Sequence, residues 1–264
     1  MYPTKYHKPD SVDAAITALS GAEDGKFLAG GQTLLATMKQ HLAAPSDLVD
    51  VRGISDLSGI RMDGDTLVIG AATTHAEVAA SADVNSACPG LARLAAGIGD
   101  PAVRHMGTIG GSIANNDPAA CYPAGLLALD ATIVTNSREI AANDFFLGLF
   151  TTALEEDEII TSVRVPACAK AAYAKFRQPA SLFALVGVCV AQTADGARVA
   201  VTGAGEDGVF RHEGLEAALS SDWSASAIDG VEVSADGLMS DIHGSAAYRA
   251  NLIKVMAKRA VAAA

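Results

Sequence analysis

Residues 100–123 read DPAVRHMGTIGGSIANNDPAACYP. Three glycines, three prolines and two adjacent asparagines in 24 residues predict an ordered loop packed on a core, or a binding surface. At its centre, Gly107-Thr108-Ile109-Gly110-Gly111-Ser112 sets a glycine pair between hydroxyl residues. Such a pair lets the backbone turn without a Cβ and approach a ligand closely. Asn115, Asn116 and Asp117 follow at once, with groups that suit ribose hydroxyls or the edge of a flavin ring. The same letters also fit a glycine-kinked loop whose asparagines close Asx-turns.

A second cluster lies nearer the N-terminus. Ala29-Gly30-Gly31-Gln32-Thr33-Leu34 joins an extended segment, 26–29, to a helical one, 32–42. Main-chain amides at such a joint can converge on a phosphate, although an ordinary tight turn fits equally well. Two amide-rich nests on opposite sides of one diphosphate would account for both clusters. A bulky residue at Gly110 or Gly111 is then expected to expel the ligand with little loss of folding.

Around these clusters the first half alternates short helical and extended segments. Val12, Ala15, Ile16 and Leu19 form one helical stripe. Residues 47–51, 66–72 and 158–166 read as strands, and 74–80 and 90–96 as helices; 125–136 reads as a helix followed by a strand. After a break between Pro166 and Ser181, residues 182–193 and 197–204 form a hairpin pattern with one buried face. Segments 213–219 and 245–264 are helical, the latter capped by Asp241 or Ser245 with a stripe of Tyr248, Leu252, Val255 and Met256.

The chain has 264 residues, half of them hydrophobic, and a formal charge of -11. That acidity excludes a general affinity for nucleic-acid backbones. Its apolar runs, 119–129 and 182–190, are far short of the ~20 residues of a membrane span. Residues 1–10 carry Pro3, Lys5, Lys8 and Pro9 with no apolar run, which argues against a secretory signal. Cys88, Cys121, Cys168 and Cys189 form no CxxC, so no iron–sulfur or zinc site is expected, and a reducing compartment, the cytoplasm, fits them. His7, His41, His75, His105, His212 and His243 form no metal-ligand spacing. His105 reads as structural or surface, and His75 as satisfied by a local hydrogen bond at a helix start. There is no GxSxG elbow. Glu155 to Glu158 read as a solvated turn. Gly203-Ala204-Gly205-Glu206-Asp207-Gly208 matches GxGxxG by letter, but its two carboxylates would face phosphates and no second βαβ unit can follow, so it reads as a hairpin exit.

The order AGGQTLL (29–35), TIGGS (108–112), ANNDPAACYP (114–123), EIITSVRVP (158–166) and AYAKF (172–176) resembles the FAD-binding medium subunit of molybdenum hydroxylases. The tail from Ser240 resembles that family's last helix, so the likeness spans nearly the whole chain. It implies an α+β protein: a two-lobed FAD-binding domain of the p-cresol methylhydroxylase/vanillyl alcohol oxidase type over 1–175, with lobes of about 1–55 and 56–175, then a small α+β domain over 176–264. It implies that Ala29, Gly30, Gly31, Gln32, Thr33 and Leu34 hold the FAD with Thr108, Ile109, Gly110, Gly111 and Ser112. Asn115, Asp117, Ile160 against the isoalloxazine and Lys175 near the flavin complete the site; no metal ligand and no catalytic residue is assigned. Many relatives carry a carboxylate at the position of Cys121. The family further implies a large molybdenum–pterin subunit that hydroxylates substrate, a small subunit with two [2Fe–2S] clusters, a dimer of heterotrimers and an external acceptor such as NAD⁺, a quinone or a redox protein. The chain alone is not expected to hydroxylate substrate. Alternatives are a self-sufficient flavin oxidoreductase and a flavin-free assembly or scaffold subunit.

Overall fold

Three sheets organise the chain, whose computed structural model describes residues 1–264. The first is small and parallel. β1 (Lys5–His7), α1 (Val12–Ser20), β2 (Gly25–Leu28), α2 (Leu34–Lys39) and β3 (Asp47–Asp50) give the strand order β1-β3-β2. Ser11 caps α1, whose buried Ala15 and Leu19 pack with Val49 and Val51. This much follows the periodicity of the sequence.

The second unit runs through β4 (Ile60–Asp63), β5 (Thr66–Gly70), α3 (His75–Ala80), α4 (Ala82–Ala87), α5 (Pro89–Ala96), α6 (Pro101–Met106), α7 (Ile109–Asn115) and α8 (Cys121–Ala128). It continues with β6 (Thr132–Thr135), β7 (Glu139–Ala141), α9 (Ala142–Phe145), the hairpin β8 (Phe146–Gly148) and β9 (Thr151–Thr152), and β10 (Ile160–Pro166). Its five-stranded sheet has the antiparallel order β4-β5-β10-β6-β7. The expected loop at 100–123 is instead three short helices. Most breakers sit at or near a helix end: Asp100 caps α6 with Pro101 in its first turn, Thr108 caps α7 with Gly110 and Gly111 in its first turn, and Asn116 ends α7 in the left-handed region at φ 42°. Breakers at helix ends read, in sequence, like a loop.

The third sheet contains β11 (Ala171–Arg177), β12 (Ala184–Thr193), β13 (Gly196–Gly205) and β14 (Gly208–Arg211), an antiparallel meander followed by α10 (Glu213–Ser221) and α11 (Ala246–Ala263). Gly203 to Gly208 is its last hairpin, and both Gly203 (φ 79°) and Gly208 (φ 99°) need the left-handed region. Ser245, not Asp241, caps α11; Leu252 and Met256 of the expected stripe are buried, while Tyr248 is exposed and Val255 half-buried. The hairpin expectation of one buried face needs correction, because all of Ala184–Ala191 is buried. Cys189, Ala191 and Ala200 face the core of the second unit, whereas Val188, Val190, Val199 and Val201 face α10 and α11. Burial on both faces explains why the run is continuously apolar rather than alternating. β11 begins at Ala171, so a division of the chain after residue 175 passes through a strand of this sheet.

Candidate functional site

The joint after β2 and the joint before α7 touch. A Cβ on Gly30 would come within 2.1 Å of the Met106 carbonyl oxygen and 2.6 Å of Gly107 Cα. One on Gly111 would come within 3.2 Å of Ala29 Cβ. Only glycine at Gly30 allows so close an approach. Gly31 adds a left-handed residue at φ 68°, which turns the chain from β2 into α2.

The two joints differ in what their amides do. No group of the chain accepts from the N–H of Gly30, Gly31, Gln32 or Thr33, and the Thr33 side chain makes no capping bond. Those donors are available to a ligand. In the second joint most are already used. Ile109 N donates to Thr73 O, Gly110 N to Ala71 O, and Gly111 N to Thr108 Oγ1, leaving Thr108 N without an acceptor. A Cβ on Gly110 would strike Ala71, 2.6 Å from its Cβ and 2.7 Å from its carbonyl oxygen. The expectation that Gly110 leaves room for a phosphate is therefore corrected, since that glycine seats α7 on the chain leaving β5.

Both joints open on one cavity of about 540 Å³, within the usual range for cofactor sites. Of the residues singled out from sequence, Ala29, Gly30, Gly31, Gln32, Thr33, Leu34, Thr108, Gly110, Gly111, Ser112, Asn115, Asp117, Ile160 and Lys175 line it. Ile109 does not; it is fully buried in the core of the second unit. Asp117 accepts from Ala119 N, whereas the neighbouring Asn116 turns away, donating to the carbonyls of Gly148 and Thr151. His105 lies outside the cavity wall, exposed, with Nδ1 2.7 Å from Pro101 O.

At the far wall Lys175 Nζ donates to Leu182 O at 2.9 Å and lies 3.5 Å from Cys121 Sγ. The thiol thus faces an ammonium, and no carboxylate of this chain pairs with Lys175. Tyr173, two residues earlier on the same face of β11, has a buried hydroxyl without a partner. Burial, then the adjacent Cys121, pushes its pKa well up.

Two wall residues were misjudged from sequence. Glu155 to Asp157 are exposed as expected, but Glu158 is buried. It accepts from Arg138 Nε and Nη2, Thr135 Oγ1, Ser137 Oγ and Glu155 N, and Arg138 above all holds its pKa down at about 2. His75 does start a helix, α3, capped reciprocally by Thr74 and Glu77. Its ring, however, lines the cavity and makes no hydrogen bond, so no local bond explains it.

Residues with free amides line one part of this cavity, and apolar groups such as Ile98, Leu154 and Ile160 line others. That donor set suits a phosphate flanked by flat apolar rings. Residues 2–168 match the family model described as FAD binding domain in molybdopterin dehydrogenase. The carbon monoxide dehydrogenase medium chain of Hydrogenophaga pseudoflava is 36% identical over 98% of this chain and 96% of that one. The nicotine 6-hydroxylase medium subunit of Paenarthrobacter nicotinovorans is 35% identical, covering 97% and 95%. A solved carbon monoxide dehydrogenase from Hydrogenophaga pseudoflava, lacking the Mo-pyranopterin moiety of its molybdenum cofactor, superposes with a TM-score of 0.88 over 100% of this chain and 98% of that one. With the domain model covering the first two joints and relatives aligned from end to end, the chain belongs to the FAD-binding medium-subunit family of the molybdenum hydroxylases.

Proposed function

We propose that this chain holds FAD in the cavity between its two glycine joints and relays electrons from two [2Fe–2S] clusters of a small subunit to an external acceptor. A large molybdenum–pterin subunit completes the complex, assembled as a dimer of heterotrimers. One observation carries the reading: the N–H groups of Gly30, Gly31, Gln32 and Thr33 have no acceptor within the chain and lie at the point where the second joint closes on the first. FAD, when bound, supplies redox chemistry that takes up electrons singly and stores two.

The residues divide the work of holding it. The four free amides, with Thr108 N, bind the diphosphate without any cationic side chain, a main-chain nest of fixed partial charge. Asn115 and Asp117 offer an amide and a carboxylate to hydroxyls, Ile160 and Leu154 give an apolar wall, and Lys175 places a positive charge beside it. Cys121, with no carboxylate charge to offer, leaves Lys175 unneutralised. The placement in the cytoplasm is part of the proposal and is supported by four unpaired cysteines. No helix is long and apolar enough to cross a membrane.

The complex purified from its native source tests this. Stoichiometric FAD on acid release, a large molybdenum protein and a small iron–sulfur protein are expected with this chain. A complex that carries both partners but no flavin would overturn the proposal.

A further inference from the structure

His75 sits at the seam of the two joints. Gly107 crosses its ring so closely that a Cβ there would lie 2.6 Å from His75 Nε2, and Gly30 in turn abuts Gly107. The ring is 4% exposed and packs on Tyr122 with centroids 5.3 Å apart. Its nitrogens differ. Nδ1 is sealed from solvent without a partner, while Nε2, also unbonded, keeps access to the cavity.

Burial, and after it the Arg104 guanidinium, lowers the ring's pKa to about 4, so at neutral pH it carries a single N–H. A sealed lone pair is tolerated better than a sealed N–H, because orphaned buried donors are the rarer defect in proteins. The proton therefore belongs on Nε2, directed at the cavity beside the free amides. We propose that His75 donates this hydrogen bond to the FAD diphosphate, as the side-chain donor in a nest otherwise built from backbone. The proposal rests on the FAD reading above and adds a cofactor-positioning residue to it.

The test uses the intact complex, stripped of flavin and titrated with FAD by fluorescence, with ADP as a second ligand that keeps the adenosine and diphosphate but lacks the flavin half. Binding of FAD by the unmodified complex checks the underlying reading first and separately. His75→Leu, which keeps bulk and removes the donor, is expected to weaken both FAD and ADP by about tenfold or more, the usual cost of a hydrogen bond to a charged group. His75→Gln, which can still donate, is expected to stay within a few-fold of the parent. Equal affinity in His75→Leu, equal losses in Leu and Gln, or a loss for FAD with none for ADP would each overturn the proposal. Solid-state ¹⁵N spectra of histidine-labelled complex give a check that needs no variant. Nε2 should be the protonated nitrogen and should shift on loading with FAD; an unprotonated Nε2 in the loaded complex would refute the assignment.

Discussion

Lys175 and Glu158 carry the charges whose loss is most readable. An ammonium near a redox ring favours the more negative, reduced state. Lys175→Met should therefore lower the two-electron midpoint potential of the bound flavin by about 20–40 mV, corresponding to about 1–2 kcal/mol of charge interaction. Spectroelectrochemistry of the complex measures it, and an unchanged potential would show that the charge does not reach the ring. Glu158 speaks to acid stability instead. Its folded pKa of about 2 lies below the ordinary carboxylate value, so its contribution is complete above pH ~4.3 and fades as the pH falls toward 2. Glu158→Gln should cost about 1–3 kcal/mol at pH 7, from hydrogen bonds to a charged group, and should flatten the fall in stability between these pH values. Denaturant melts at a series of pH values decide it. The family resemblance singled out Lys175, but its contact with Cys121 and the buried role of Glu158 were not legible in the sequence. The side-chain partners of Glu158 come from 20 to 23 residues upstream, and the Cys121–Lys175 contact joins positions 54 apart, so local pattern holds no trace of either.

At the scale of elements, the sequence was most legible where one physical signal dominated. The bounds of α1, of the capped α11 and of the β12–β13 pair were read to within about two residues, although only half of each expected helical stripe is buried and the pair is buried on both faces. Helices α6 and α7 and the first turn of α8 were missed because none of the three exceeds eight residues and their prolines, glycines and asparagines crowd the first turns and ends. The glycine joints were visible as joints, since nothing else tolerates their turns, but the sequence could not say which side each glycine faced. Gly110 is the instructive case. With three main-chain bonds tying 107–110 to 71–75 and no space at Ala71, α7 is a bracket fixed to β5. Gly110→Ala should cost about 1–3 kcal/mol of folding stability, the typical penalty of overpacking, and lose FAD as a consequence. Thermal melts of flavin-free protein separate this from a purely local effect: a variant as stable as the parent would show that α7 has slack.

Across the whole molecule, the third sheet holds the cavity's far wall in place. α5 meets β11 with no room for a side chain, since a Cβ on Gly90 would lie 2.4 Å from Ala171 O. On the other side of the sheet, the buried Arg249 of α11 donates to the carbonyls of Leu185 and Gly203. Between them, Thr202 Oγ1 lies 2.9 and 2.8 Å from the carbonyl oxygens of Pro118 and Ala120, and Gly203 N donates to Pro118 O. Those carbonyls belong to the short segment between α7 and α8, where Asp117, Ala119 and Ala120 line the cavity. Thr202 is fully buried, so Thr202→Val preserves the shape of the side chain but leaves carbonyl lone pairs facing a methyl group. The expected cost is about 1–3 kcal/mol. If the sheet merely adjoined the flavin lobe, that loss would leave FAD affinity untouched. If it sets the position of residues 117–120, affinity should fall several-fold while the fold survives, and FAD titration of the Thr202→Val complex distinguishes the two. The shared core carries the same expectation for unfolding: Cys189, Ala191 and Ala200 of the third sheet belong to one apolar cluster with Leu91, Leu94 and Leu126. Denaturant melts followed by flavin fluorescence and by far-ultraviolet circular dichroism should therefore coincide, and two separated transitions would show that the C-terminal sheet folds independently of the cavity it supports.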